Sequence, residues 1–196
     1  MKYFLVKQNE SQKDMPKISN WYKKVDKHSL DKREYNKIPY RTVLSIDPNS
    51  NVKFVDIIIC PFLLISKDLK KLIILFEPNL KFKEFFLQDS INGKMKEYFF
   101  PLLESIDCLY KDSIFNLDKS VIKKGIIDES KLKDKAIFLI KNMNSQQIVM
   151  RMDLVEAIIR RDYTGISFIE LEKNVEENRW VMNSQTVRNQ LAVYHM

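Results

Sequence analysis

The sequence predicts an α+β fold with a mostly antiparallel or mixed sheet and two main amphipathic helices packed on it. Strand-like segments outnumber helical ones and often follow one another directly along the chain. Hydrophobic residues make up 45% and charged residues 30% of the 196 residues, which is typical of a globular protein. A chain of this length buries about 70% of the surface that it exposes when unfolded. We therefore expect a hydrophobic core that needs no disulfides.

The first quarter of the chain combines two predicted strands with a long polar stretch. Residues 2–6 (KYFLV) are typical of a short strand, and residues 8–36 are polar and lysine-rich, which indicates loops and one helical turn. A second strand is predicted over residues 38–46 and ends at the turn-forming residues 47–50. Residues 52–59 (VKFVDIII) are rich in β-branched side chains and predict a third strand.

A helix is predicted to begin after Ser66. The Ser66 hydroxyl suits the N-cap, and Asp68 places a negative charge in the first turn, where the helix dipole favours it. Pro78 ends the helix. Apolar side chains recur at helical spacing between these limits, at Leu69, Leu72, Ile73 and Phe76.

A β-hairpin follows this helix. The segment KFKEFFLQD (81–89) alternates, Asn92-Gly93 is a strong hairpin signal, and residues 95–100 form the returning strand. The remaining predicted β segments cover residues 120–127, 136–141 and 147–150.

A second helix is predicted between Asp153 and Gly165. Asp153 is its expected cap, and Gly165 separates it from a strand at 166–172. Arg160 and Arg161 fall in the last turn, where positive charges suit the dipole. The pairs one helical turn apart are Leu154 with Ile158 and Val155 with Ile159.

These segments suggest three regions. Residues 1–36 form a variable lysine-rich N-terminal segment, and residues 37–173 form the α+β core. Residues 174–196 form a polar C-terminal appendage, either loose or helical around 184–193.

Several kinds of chemical site are excluded or disfavoured. With only three glycines, no glycine-rich phosphate loop can be written. Cys60 and Cys108 lie in apolar stretches, and we expect both to be buried thiols in a reducing compartment. His28 and His195 are the only histidines, and neither lies in a metal-binding or triad pattern. We therefore expect no enzyme, no metal and no cofactor.

The termini and apolar runs predict a cytoplasmic protein. The N-terminus has four apolar residues in a row, whereas a signal peptide needs about 7–15. The longest apolar run, residues 57–65, contains Pro61 and is about half as long as a membrane span.

The net charge of +7 is concentrated in residues 1–50, with 11 lysines and arginines against six aspartates and glutamates. Trp21, Tyr22 and Tyr35 lie among these basic residues. Lysines interleaved with aromatic rings can bind nucleic acid. The same pattern fits a solvated lysine-rich face with core aromatics, and Asp26, Asp31 and Glu34 weaken its field. Nucleic-acid binding or general protein interaction through this region is the alternative function.

Four segments between residues 52 and 172 resemble immunity protein family eleven, a bacterial family of polymorphic toxin systems. The segments are FVDIIICPFLLISKDLKKLI, FEPNLKFKEFFLQD, YFFPLLESIDCL and VMRMDLVEAIIRRDYTGISFIELE. The resemblance implies a small cytoplasmic protein that binds and neutralises a cognate toxin protein encoded nearby. It implies no catalytic residues. We interpret its recurrent positions Pro101, Leu103, Asp153 and Gly165 as turn, core, cap and helix stop.

A toxin-binding surface would need aromatic and arginine anchors. The candidates are Trp21, Tyr22, Tyr35, Arg160 and Arg161. An acidic face would speed binding to a cationic nuclease, whereas this chain is basic. Either the toxin is not a basic nuclease, or a local acidic patch at Glu170, Glu172, Glu176 and Glu177 makes the contact. An enzymatic function would instead need carboxylates clustered with His28 in one cleft.

Overall fold

The structure, a computed structural model, describes residues 1–26, 30, 35–49, 51–132 and 134–174. Within these ranges two α-helices pack on mixed and antiparallel sheets, which confirms the predicted α+β class. Some of the residues for which the sequence makes predictions lie outside the described residues. They are His28, Asp31, Glu34, Glu176, Glu177, His195 and the other residues of the C-terminal appendage from 175 onward.

The helices are α1 (Lys67–Phe76) and α2 (Met152–Ile159). The strands are β1 (Tyr3–Gln8), β2 (Ile18–Ser19), β3 (Arg41–Ile46), β4 (Ile57–Ile58), β5 (Leu64–Ile65), β6 (Phe82–Asp89), β7 (Lys94–Pro101), β8 (Ser105–Ile106), β9 (Ile114–Phe115), β10 (Ile122–Lys124), β11 (Ile126–Ile127), β12 (Ile137–Ile140), β13 (Ile148–Arg151), β14 (Ile166–Glu170) and β15 (Glu172–Lys173). Short 3-10 turns occur at Trp21–Lys23, Tyr35–Lys37 and Glu129–Lys131.

The larger sheet has six strands in the order β2-β3-β6-β7-β5-β4. Strands β6 and β7 form the predicted hairpin, and Asp89 opposite Lys94 is the last pair before the turn. Gly93 has a φ of 61° in that turn, a conformation that glycine adopts without a side-chain clash. Strand β3 runs parallel to β6, so the sheet is mixed.

The second sheet has five strands in the order β14-β1-β13-β12-β8. Strand β1 lies inside this sheet and pairs antiparallel with both β13 and β14. Leu5 and Val6 are both buried, in different hydrophobic clusters. The predicted boundary at residue 36 therefore separates β1 from β13 and β14, the two strands with which it pairs.

Helix α1 begins as predicted. The backbone N–H of Leu69 donates to the Ser66 hydroxyl at 3.3 Å, and the Ser66 hydroxyl donates to the Asp56 carboxylate at 2.8 Å. Leu69 and Ile73 are fully buried. The cap and the apolar stripe therefore fix both the start of the helix and the face that it buries.

Three hydrophobic clusters form the core. The first joins α1 and α2 to both sheets through residues such as Leu69, Ile158 and Phe99. The second is rich in aromatic rings, with Phe62, Phe85 and Phe100 in contact. The third packs against the five-stranded sheet and contains Leu5 and Phe138.

The strand predicted over residues 52–59 is wrong for most of its length, since only Ile57–Ile58 pair as a strand. The Lys53 N–H donates to the Asp14 carbonyl at 2.8 Å, and the Ile57 N–H donates to the Thr164 carbonyl at 3.2 Å. The apolar residues are buried here, but their backbone partners come from loops far away in sequence.

The predicted cap of the second helix is also wrong. The helix begins at Met152, so Asp153 lies inside the first turn, and the cap position is Arg151. Arg151 has an extended backbone because it is the last residue of β13. Its guanidinium binds the Asp153 carboxylate through Nε at 2.9 Å and Nη2 at 2.8 Å. Of the predicted pair Val155 and Ile159, Val155 is buried in the core, whereas Ile159 is 58% exposed.

One of the two cysteines departs from its predicted environment. Cys108 is fully buried, and burial raises the pKa of its thiol to about 12, which fits an inert core residue. Cys60 is exposed. It lies in a bend two residues after the end of β4, where the chain leaves the sheet.

Within the described residues, no helix has both the length and the apolar composition needed to cross a membrane.

Candidate partner-binding surface

Seven of the residues predicted to contact a partner are among the described residues, and they lie on three parts of the fold. One group occupies the two 3-10 turns near the six-stranded sheet, one lies at the end of α2, and one lies around β14 and β15. The structure brings Trp21 and Tyr22 together, with ring centroids 6.4 Å apart and the rings edge to face.

Tyr35 and Trp21 pack into the aromatic core cluster. Tyr35 is 7% exposed and its ring stacks on Phe100, with 6.3 Å between centroids. Burial raises the pKa of the Tyr35 hydroxyl to about 12. Trp21 is half-buried and meets Phe62 edge to face at 5.8 Å. Both rings therefore support the fold, and Tyr35 is not placed at a contact surface.

Tyr22 lies at a cleft between the two 3-10 turns. The cleft has a volume of about 560 Å³ and includes Lys23, Lys24 and Ile38 in its lining. Tyr22 is 65% exposed. The Lys24 ammonium donates to the backbone carbonyl of Val43 at 2.6 Å, which fixes this turn against strand β3.

Strand β3 presents its alternate side chains to solvent beside that turn. Arg41 and Val43 are exposed, whereas Thr42 and Leu44, which alternate with them, are buried. This alternation follows from strand geometry, in which successive side chains point to opposite faces. The outer face of β3 is therefore open at these two positions.

Glu84 holds two of the exposed side chains in place. Arg41 donates from Nε to the Glu84 carboxylate at 2.6 Å, and the Tyr40 hydroxyl donates to the same carboxylate at 3.1 Å. The Arg41 bond is the main cause that lowers the pKa of Glu84, so this carboxylate is ionised at neutral pH. The Arg41 side chain is 70% exposed, while that of Glu84 is 15% exposed. A largely buried carboxylate therefore orients an exposed arginine and tyrosine.

We name these residues the β3 patch: Tyr22, Lys24, Tyr40, Arg41 and Val43. The patch combines two exposed tyrosines, an oriented arginine, a lysine bound to the strand and an exposed valine. Tyrosine and arginine are enriched at protein–protein contacts, and their truncation there costs more than that of most residues.

The other predicted contact residues are engaged within the chain. Arg161 donates to the Ala157 carbonyl at 2.9 Å, and Arg160 lies 3.6 Å from the Glu156 carboxylate. Both contacts are typical of a helix C-terminus. Glu170 pairs with Lys2 at 2.9 Å, and Glu172 pairs with Lys124 at 3.1 Å. Lysines therefore offset the charge of the described part of the predicted acidic patch.

Sequence reasoning missed Tyr40, Arg41 and Val43 as surface candidates. Their signal was present, because the predicted strand at 38–46 must turn either the odd or the even positions outward. The choice between the two sets is made by the buried β6 side chains Phe85 and Leu87, opposite Thr42 and Leu44, which the alternation alone does not identify.

Among the described residues, no group of three or more histidine, cysteine, aspartate or glutamate side chains is arranged to hold a metal ion. The absence of an enzymatic activity stays a prediction.

The sequence matches no protein-family model and no curated protein. The resemblance to immunity protein family eleven therefore stays a prediction as well.

Proposed function

We propose that this chain binds a cognate bacterial toxin domain in a stoichiometric complex and neutralises it without catalysis. The observation that carries the proposal is the β3 patch, where Arg41 and Tyr40 are exposed and oriented by one carboxylate. The sequence resemblance supplies the class of partner.

Orientation of these side chains favours binding. A free arginine or lysine loses rotamer freedom when it enters an interface, at a cost of about 0.5–1.5 kcal/mol per side chain. Glu84 already restricts Arg41, and the Val43 carbonyl already restricts Lys24. The patch therefore loses less entropy on binding than a set of mobile surface side chains would.

The charge of the patch favours an acidic partner. Lys23, Lys24 and Arg41 are exposed around it, while the acids are Asp26, which lines the cleft, and Glu84, which pairs with Arg41 and is 15% exposed. Charge complementarity mainly raises the rate of association and the specificity of a complex. We therefore expect the toxin domain to present an acidic face, which a strongly basic nuclease would not.

A nucleic-acid function has one observation in its favour, the cleft lined by Lys23 and Lys24 next to Tyr22. Binding of single strands uses successive rings on which successive bases stack. In this region Tyr22 and Tyr40 are exposed, with the Tyr40 hydroxyl bound to the Glu84 carboxylate, but Trp21 and Tyr35 pack into the core. The geometry therefore favours a protein partner.

The test is co-expression with the protein encoded beside this chain, scored by rescue of growth and by co-purification. We expect a stable complex, and Arg41→Ala and Tyr40→Ala should each weaken it by about tenfold or more, as expected for central anchor residues. Lys71→Ala is the matched control, because Lys71 is an exposed cation on α1 that pairs with the Asp68 carboxylate at 2.9 Å.

Two outcomes would contradict the proposal. If the toxin encoded beside this chain still kills cells when the two are co-expressed, and no complex forms, the proposal of toxin neutralisation is wrong. Tight binding of a labelled single-stranded oligonucleotide at physiological salt, lost in a Lys23→Glu, Lys24→Glu variant, would favour the nucleic-acid function instead.

A further inference from the structure

A second exposed apolar group lies far along the chain from the β3 patch, on the small hairpin formed by β9 and β10. Ile114 is 53% exposed, Val121 is 44% exposed, and Leu117 is completely exposed. Single exposed apolar residues are common on protein surfaces. Three of them lie within eight residues of one hairpin, with Leu117 in the loop between its strands, and we call this segment, residues 114–121, the hairpin tip.

Hydrogen bonds within the loop fix the shape of this tip. The Asn116 side-chain carbonyl accepts the Val121 N–H at 2.9 Å, and the Asn116 amide donates to the Ser120 hydroxyl at 2.9 Å. The Asp118 carboxylate accepts the Ser120 N–H at 3.1 Å. Both sides of the loop are therefore tied across Leu117.

The neighbouring loop before β13 donates hydrogen bonds to the backbone of the hairpin loop. The Gln147 amide donates to the Ser120 carbonyl at 2.8 Å, and the Asn144 N–H donates to the Lys119 carbonyl at 3.1 Å. Ser145 also donates to the Ser120 carbonyl. Gln147 is 6% exposed, so this support comes from a packed residue.

The base of the hairpin is anchored in the core. Ile122 is buried in the third hydrophobic cluster, and Phe115 packs against that cluster. The tip is therefore held out from the body of the protein in one orientation. A preorganised loop loses less conformational entropy on binding than a mobile one.

The charges around the tip are mainly positive. Lys111, Lys119 and Lys123 are exposed, while Lys124 is paired with Glu172 at 3.1 Å. Asp112 and Asp118 are the exposed acids beside them. The hydrogen bond from the Ser120 hydroxyl is the main cause that lowers the Asp118 pKa, so Asp118 is ionised and the three lysines exceed the two acids by one charge. An occupant of the tip would therefore be acidic around an apolar centre.

We propose that this hairpin tip is a docking element that inserts Leu117 into an apolar, acid-rimmed pocket of the toxin domain. The inference rests on the proposed function, because it assigns a second contact with the same partner. Leu117 supplies the apolar anchor, and Lys119 and Lys123 face the acidic rim.

The test measures affinity of the purified protein for its co-encoded partner by calorimetric titration. Leu117→Asp should weaken binding by about tenfold or more with an unchanged melting temperature, since the Leu117 side chain is completely exposed. Leu75→Asp is the matched control, because Leu75 is 75% exposed on α1. The Lys119→Glu, Lys123→Glu variant should bind more weakly and show a smaller dependence on salt.

The outcomes separate this inference from the proposed function. A complex that forms with unchanged affinity in Leu117→Asp overturns the docking role and leaves toxin binding intact. Equal weakening by Leu117→Asp and Leu75→Asp also overturns it, since the effect would not be specific to the tip. A parent protein that binds no co-encoded partner overturns both.

Discussion

Gly93 and Gly165 both have a positive φ, 61° and 90°, but their surroundings differ. Among the described residues, a Cβ at Gly93 would have no neighbouring atom within 4 Å, whereas a Cβ at Gly165 would clash with the Ile57 carbonyl oxygen and the Val55 side chain. The Gly165 carbonyl also accepts a hydrogen bond from the Gln8 side chain. Gly165 therefore allows close packing as well as the backbone conformation.

We predict that Gly165→Ala lowers the free energy of unfolding by about 3 kcal/mol or more, because strain and a backbone clash add. Gly93→Ala should cost only about 1 kcal/mol, since it adds backbone strain alone. Urea denaturation of both variants measures the difference. Equal losses would contradict the proposed role of the close approach.

The buried carboxylate of Asp89, at the start of the hairpin turn, should make the stability of the fold depend on pH. It is 2% exposed, and its carboxylate accepts the Asn92 side-chain amide at 2.7 Å. That bond is the main cause that lowers the Asp89 pKa, with the N–H groups of Asn92 and Ile91 contributing. The ionised form is thus favoured in the folded state.

We predict that Asp89→Asn is less stable than the parent at neutral pH and that the difference shrinks in acid. A lowered folded-state pKa stabilises the fold above the unfolded value of about 3.9, and this stability is lost as the pH falls through the folded value. Denaturation curves between neutral pH and about pH 2 test this sign. A difference that grows in acid would show that the carboxylate is not stabilised as described.

At the residue scale, the sequence predicts features whose chemistry is local. The Ser66 cap and the Gly93 turn depend on neighbours within four residues, and both are confirmed. The exposure of Cys60 and the burial of Tyr35 depend on how distant segments meet, such as the stacking of Tyr35 on Phe100. Neither follows from local pattern.

At the element scale, helix α2 shows how sharply core and surface divide. Ile158 is fully buried beside α1 and both sheets, while the next residue, Ile159, is 58% exposed. The predicted apolar pairs located the helix, but they did not distinguish these two isoleucines. The distinction arises because the sheets contact one side of the helix only.

We predict that Ile158→Asp strongly lowers the free energy of unfolding, because it buries an unpaired carboxylate. A domain is typically stable by only about 5–15 kcal/mol, so this variant should lose much of its stability. Ile159→Asp, the same substitution one residue later, should change stability by about 1 kcal/mol or less. Thermal melts followed by circular dichroism compare the two. Similar melting temperatures for the two variants would show that the buried face is misplaced.

Sequence patterns best identified the elements whose ends are set by hydrogen bonds within the element itself. Helix α1 and the β6–β7 hairpin carry a cap and a turn within the element. Residues 52–59 have strand composition, but the N–H groups of Lys53 and Ile57 find partners in loops around residues 14 and 164. Composition predicts burial there, and the distant partners decide the backbone conformation.

At the scale of the whole molecule, β1 ties the N-terminal segment to the end of the described chain. Leu5 pairs with Val149 on one side and with Ile169 on the other. The strand also contributes to two hydrophobic clusters. The five-stranded sheet therefore depends on it for both hydrogen bonds and packing.

We predict that deletion of residues 1–8 prevents cooperative folding, since it leaves β13 and β14 with unpaired edges inside the sheet. Lys2→Ala is the control, because it removes only an exposed ion pair with Glu170. Dispersion of amide signals in an NMR spectrum reports the outcome. A truncated chain with a dispersed spectrum and a sharp melt would contradict the central role of β1.

The position of β1 also has a consequence for how the protein is made. The ribosome completes β1 long before it adds Val149 and Ile169, its partners. At synthesis rates of about 5–20 residues per second, this strand waits about 7 to 30 s for its first neighbour. The nascent chain carries an unpaired apolar strand throughout that interval, so chaperones at the ribosome exit have a long period in which to bind it.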